Sequence, residues 1–455
     1  MKHKLLLFVL LTASLPIFAT GSIKERLSPN ETLWFTYPAR NWSEQALHIG
    51  NGYMGASFYG DVEKERFDIA EKTFWTGGPH SVPDFNYGVV KGGKDKIAAI
   101  RRSITDRRFA EADSLSRLYM VGDYTNYGYF SMVGNLFVDF GKKTQPVQNY
   151  LRGIDLSTSR GFVEYTQGDV RFNREYFCSY PDKLMALHFT ADQKGKISFS
   201  LSHLLVYQPE KVTEGKDELI FNGIIQGNGL GYTIRMKVLH QGGSIKMGHQ
   251  QITVEGADEA TVFYTVDTEY SPVYPLYKGE KPRQTTEKII KSAITKGYET
   301  VKHTHISDYQ TLYNRVKFTL SGDTASEKLP TDIRVKQLQQ GFTDDASLKV
   351  LWFNLSRYLL INASRPGTLP SNLQGVWNTF EKAPWNGNFQ SNINLQEMYW
   401  GCGPTQLPEC EEAYLEWIEG LVEPGRKTAG EYYGTKGWVS HSTGNIWGHT
   451  VPGDD

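Results

Sequence analysis

Between about residues 30 and 300 the chain alternates apolar and polar residues with a period of two, the pattern of strands buried on one face. "FVEYTQGDVRFNREYF" is two such runs around Gln167-Gly168-Asp169, which predicts a hairpin. "KISFSLSHLL" alternates at Ile197, Phe199 and Leu201, and "YTIRMKVLH" at Ile234, Met236 and Val238. "QITVEGADEATVFYTV" predicts two more strands joined by a Gly-Ala-Asp turn. Many short strands separated by turn signals indicate a β-sandwich. One interruption is "DKIAAIRRSITDRRFAEADSLSRLYM", whose apolar positions 97, 100, 104 and 115 predict an amphipathic helix inserted near 95–120.

Past about residue 305 the period becomes helical. "DYQTLYNRVKF" puts Tyr309, Leu312 and Val316 on one face. "DDASLKVLWFNLSRYLLINAS" opens on acidic capping residues and aligns Leu348, Leu351, Trp352, Leu355 and Leu359. "LPECEEAYLEWIEGLVEPG" aligns Leu407, Cys410, Tyr414, Trp417, Ile418 and Leu421, ending near Pro424-Gly425. The polar stretch "SGDTASEKLPTD", residues 321–332, reads as a connector within this transition. The fold class is therefore multidomain, β then α. Only about 110 residues follow Ala346, at the low end for a domain with its own core, so an interrupted domain is expected.

At the N-terminus, Lys2, His3 and Lys4 precede "LLLFVLLTASLPIFA", with Ile17 and Ala19 at −3 and −1 of a cleavage site. Residues 1–19 thus read as an export signal, too short for a membrane span and followed by no lipidation cysteine. The mature protein is expected in the periplasm or outside the cell. Lys+Arg 49 against Asp+Glu 50 points to neither nucleic acid nor an anionic membrane. An aromatic content of 13% suits sugar faces and large cores alike. Three cysteines make no disulfide framework; Cys402 and Cys410 are near enough in sequence to bridge, but three buried small side chains is the reading favoured. No CxxC, HExxH, EF-hand loop or P-loop occurs, so no metal or nucleotide cofactor is expected. "GNGYMG", with Gly50, Gly52 and Gly55, reads as tight turns between strands.

Three stretches carry a resemblance: "LHIGNGYMGASFYGDVEKERFDIAEKTFWTGGP" at 47–79, "SRYLLINASRPGTLPSNLQGVWN" at 356–378 and "SNINLQEMYW" at 391–400. In this order they resemble glycoside hydrolase family 95, exported α-L-fucosidases acting on terminal 1,2-linked fucose, with α-L-galactosidases as relatives. The resemblance implies an N-terminal β-sandwich over 30–300, a helical linker over 301–345 and an (α/α)6 barrel, of which 346–455 would be the first, incomplete part. It implies a fucosylated or galactosylated glycan as the partner.

"RPGTLPSNLQGVWN" reads as a loop between helices. In such a barrel it would border the pocket, with Asn372, Gln374 and Trp377 facing a sugar, or it would be held by its own amide hydrogen bonds. Asn392 and Asn394, two residues apart, share a face only if the backbone between them is extended or irregular. The resemblance gives both the task of holding the attacking water in an inverting hydrolysis. The bland alternative is a pair of amides closing a helix end. The family's general acid glutamate and partner aspartate are expected beyond Asp455; Glu381, Glu397, Glu411 and Asp454 lack their motif context. Without that pair the chain is expected to be inactive alone.

Two departures stand out. Glu397-Met398 replaces Met-Asn in the asparagine motif, and "HSTGNIW" keeps His441 but has Ser442, Gly444 and Asn445 where His, Thr and Asp are usual. His441 would bind a sugar hydroxyl or fill a polar gap. An α-L-galactosidase and a non-catalytic carbohydrate-binding or structural remnant stay open as alternatives.

Overall fold

A computed structural model describes residues 23–142 and 144–453. The predicted export signal and Asp454 lie outside the described residues. Two antiparallel sheets face each other. One has nine strands, from Thr32–Phe35 at one edge to Pro209–Glu214 at the other, and one has seven, from Ser244–Gly248 to Leu47–Gly50. The alternation explains the burial: Ile234, Met236 and Val238 all point into the core of the sandwich. Phe58 and Phe67 from one sheet meet the ring of Tyr176 from the other edge-on, at centroid distances of 5.1 and 4.9 Å.

The Gln167-Gly168-Asp169 signal is a two-residue hairpin, Gln167 pairing with Val170 and Gly168 taking the left-handed conformation its turn needs. The Gly-Ala-Asp turn does something else. Strand Gln251–Ala257 belongs to the seven-stranded sheet and Glu259–Thr268 to the nine-stranded one, so Asp258 is a corner between sheets. Its carboxylate accepts the Gly195 amide at 2.8 Å.

The inserted helix near 95–120 is corrected to two helices, Gly93–Thr105 and Phe109–Tyr119. The polar run Thr105-Asp106-Arg107-Arg108 offers nothing to bury. The amides of Arg107 and Arg108 fold back on the carbonyls of Ile104 and Ser103, ending the first helix.

Helical structure starts at Pro282, earlier than the apolar period suggests. Helix Pro282–Lys296 buries little more than Ile290 and Ala293 on a sheet, too sparse a stripe to read. Helix Tyr298–Tyr313 stops before Val316, because Arg315 curls its Nε back to the Thr311 carbonyl at 2.8 Å. In helix Ala346–Ala363, capped by Asp345, Leu348 and Leu351 are buried as expected, but Trp352 is 69% exposed. The buried face turns toward Asn354 and Arg357, whose side chains satisfy the carbonyls of Asn30, Leu312 and Tyr313. Helix Pro408–Gly420 buries Cys410, Ala413 and Trp417, and a second helix, Val422–Thr428, runs through Pro424-Gly425. All three cysteines are free and buried. Among the described residues no helix is long and apolar enough to cross a membrane.

Candidate active site

The asparagine motif sits in a tight structure of its own. Trp385 and Asn386 both have positive φ, 47° and 59°, a conformation that side chains disfavour and that often marks a functional turn. Trp385 is 76% exposed. The chain then forms a two-residue strand, Phe389–Gln390, antiparallel to Thr443–Gly444. Ser391 extends this pairing, its amide donating to the Ser442 carbonyl at 2.7 Å and its hydroxyl lying 3.1 Å from the carbonyls of His441 and Ser442. Gln396 donates its side-chain amide back to the Ser391 carbonyl at 2.5 Å.

Between these anchors lie Asn392 and Asn394. Ile393, at φ −161° and ψ −40°, breaks the backbone, and Asn394 begins the short helix Asn394–Tyr399. The irregular backbone that a shared ligand requires is present, although Ile393 is half-exposed rather than packed away. Both asparagines are exposed, and no hydrogen bond to either side chain occurs among the described residues. Neither amide therefore closes a helix end.

His441 is held at both nitrogens. Nδ1 lies 2.7 Å from the Thr450 carbonyl, which can only accept, so Nδ1 carries a proton. Nε2 lies 2.7 Å from the Tyr433 hydroxyl. The strand pairing places His441 beside the asparagine turn.

The other loop divides. Asn372 is buried, its carbonyl oxygen accepting the Gln374 amide at 2.8 Å within its own turn. Trp377 is 7% exposed, packed against His48 and giving its indole proton to the Ile49 carbonyl at 2.8 Å. Gly50 and Gly55 make room for it: a Cβ on Gly55 would sit 2.7 Å from the indole ring. Trp377 thus joins the two layers, and the glycine stretch serves that close approach as well as its turn. Gln374 stands nearer the asparagine segment. Its Oε1 has no hydrogen-bond partner among the described residues and faces Gly387, 3.2 Å from where a Cβ would be.

The departures in "HSTGNIW" have internal causes. Gly444 is required by Trp417, whose ring would lie 2.5 Å from a Cβ there. Asn445 is buried, accepts the amides of Trp447 and His449 at 2.9 and 3.2 Å, and donates to the Tyr127 carbonyl at 2.8 Å. An aspartate could accept both amides but could not make the last bond. Beneath lies His449, enclosed by Tyr124 and Tyr127 and pushed down to about 3 by burial, hence neutral. Sequence reasoning passed over Asn388 and Gln396, each with a buried side-chain oxygen lacking a hydrogen-bond partner among the described residues. Both stand in the amide-rich motif itself, which was the available signal. Of the carboxylates, Glu381 and Glu397 are exposed. Among the described residues no group of three or more His, Cys, Asp or Glu is placed to hold a metal ion.

Comparison with known proteins decides the family. Residues 297–455 match the glycosyl hydrolase family 95 catalytic domain. The chain belongs to glycoside hydrolase family 95. Residues 33–272 match the glycosyl hydrolase family 65 N-terminal domain. Alpha-L-fucosidase 2 of Arabidopsis thaliana is 32% identical over 92% of this chain and 52% of its own length. Probable alpha-fucosidase A of Aspergillus niger is 30% identical over 93% and 55%. This family 95 chain therefore spans about half the length of the curated relatives it matches. A putative kojibiose phosphorylase from the human microbiome superposes with a TM-score of 0.55 at 10% identity, covering 92% of this chain and 52% of its own. That likeness concerns fold alone.

Proposed function

We propose that this chain is part of an exported, inverting α-L-fucosidase that removes terminal 1,2-linked fucose from glycans, and that it supplies the water-holding half of the site. The observation that carries the reading is the pair of side-chain amides, Asn392 and Asn394, without hydrogen-bond partners among the described residues, on a turn pinned by Ser391 and Gln396. An amide oxygen accepts a hydrogen bond from water and its nitrogen donates one, which fixes the water's direction. An amide does not take up a proton, so inversion needs two carboxyl groups about 6.5–9.5 Å apart as well. One protonates the leaving oxygen as the glycosidic C–O bond breaks. The other accepts the proton of the water attacking the opposite face of the anomeric carbon. We place both beyond Asp455, and read the helices from Ala346 onward as the first part of an (α/α)6 barrel. Gln374, with a free amide oxygen, and His441, fixed in one orientation, would contact sugar hydroxyls.

The test is product stereochemistry. An α-1,2-fucosyl disaccharide hydrolysed by the enzyme containing this chain should release β-fucose first, seen by NMR before mutarotation; α-fucose first overturns inversion. Faster release of galactose from the α-L-galactosyl analogue would make the protein an α-L-galactosidase instead. This chain alone should show no turnover, and robust turnover overturns the placement of the carboxyl pair.

A further inference from the structure

A cavity of about 490 Å³ lies between the sandwich and helix Pro408–Gly420, and none of the six predicted site residues lines it. Four carboxyl groups do. Glu71 and Asp267 come from the two sheets, Glu416 and Glu419 from one face of the helix, where they are exposed at the mouth. Among the described residues Lys72 is the only base on its wall, and its ammonium is engaged by the carbonyls of Ala363 and Leu369. One oxygen of Glu71 accepts the hydroxyl and amide of Thr73 at 2.5 and 3.0 Å; its other oxygen has no hydrogen bond among the described residues.

A second observation is independent of the acids. Tyr277 lines the same cavity, is 3% exposed, and its hydroxyl has no hydrogen-bond partner among the described residues. Buried polar groups are nearly always paired, so this phenol marks a missing partner. It lies over Gly448, where a Cβ would come within 2.1 Å of the hydroxyl.

Buried carboxylates require a counter-charge, and aromatic walls favour an organic cation. We propose that this cavity binds a ligand bearing a primary ammonium group, its N–H groups shared between Glu71 and Asp267 and its body lying along Tyr277. Burial holds Glu71 up to about 8, with Asp267 and Lys72 facing it, and Asp267 up to about 6, with Thr285, Lys183 and Glu280 facing it. Seating an ammonium favours both ionised forms, so binding releases protons at neutral pH.

The chemistry has two sources, an amino sugar or a linear polyamine. Calorimetric titration of the purified protein with glucosamine, spermidine and glucose separates them. At least one amine should bind tenfold or more tightly than glucose, with proton release seen as a buffer-dependent heat, and Glu71→Gln or Asp267→Asn should abolish it. Tight binding of glucosamine identifies the sugar source, and of spermidine alone the polyamine. Binding of both amines no tighter than that of glucose, or no binding of either amine, overturns the proposal. If the buried variants fail to fold, the exposed double variant Glu416→Gln/Glu419→Gln must still weaken amine binding severalfold; unchanged affinity overturns it too.

Discussion

Arg334 and Asp345 form a two-pronged ion pair with neither side chain exposed, Nε to Oδ2 at 2.8 Å and Nη2 to Oδ1 at 2.9 Å. The same carboxylate accepts the Leu348 amide at 2.8 Å and so caps helix Ala346–Ala363, while Arg334 also reaches the Pro29 carbonyl. One pair thus ties the helix that leads toward the candidate site to the start of the sandwich. Asp345→Asn keeps the cap oxygen but leaves a buried guanidinium uncompensated. The expected loss is about 3–5 kcal/mol, read from denaturant unfolding. A loss below about 1 kcal/mol would show that the pair is no more than a surface-type contact.

Gly55 and Trp377 make the interface between the layers. A Cβ at Gly55 cannot fit unless the indole moves, and the indole nitrogen is bonded to Ile49. Gly55→Ala should cost about 1–3 kcal/mol through overpacking. Adding Trp377→Ala should give a combined loss smaller than the sum of the two, since the second change removes what the first collides with. Strict additivity would disprove the contact.

Acid should destabilise the protein well above the carboxylate range. Burial lowers His48, His188 and His305 to about 4, and His203 and His449 to about 3. The folded state therefore refuses protons that the unfolded chain takes up as pH falls through about 6.5, and stability is lost from there down to the folded values. Glu71 and Asp267, raised by burial, act in the opposite sense, and Glu65 tends the same way. A net excess of about two to three protons remains near pH 5, or about 3–4 kcal/mol per pH unit. The denaturation temperature should fall steeply between pH 6.5 and 5. A flat profile would mean that these histidines titrate normally.

The sandwich was legible because strands buried on one face repeat with period two, and Ile234, Met236 and Val238 carry that pattern without interruption. The corner at Asp258 was not, since a turn between sheets uses the same residues as a hairpin. Helix Pro282–Lys296 was missed because a large sheet lets it bury only a few side chains. In helix Ala346–Ala363 the buried face is partly polar: Asn354, Arg357 and Asn362 satisfy backbone carbonyls, which a hydrophobic pattern cannot report. At the candidate site the motif residues were readable, but the closing of residues 389–391 onto 441–444 is a long-range pairing with no local signal.

Ser391 is the residue on which the proposed mechanism can be tested with least disturbance. Its hydroxyl touches only the carbonyls of His441 and Ser442 among the described residues, and it borders Asn392 without facing the sugar in the proposed reading. If the proposed reading holds, Asn392→Ala in the enzyme containing this chain removes a group acting on the attacking water, so kcat should fall about 10²-fold while KM changes little. Ser391→Ala leaves both asparagines in place but loosens the turn between its anchors. It should lower kcat by a smaller factor, about tenfold, again at nearly constant KM. Ser391→Thr, which keeps the hydroxyl, should restore most of the rate. Equal losses in kcat and substrate affinity for Asn392→Ala would make the amide a sugar ligand instead. An unchanged kcat in Ser391→Ala would mean that Asn392 and Asn394 are positioned without the strand pair that joins them to His441.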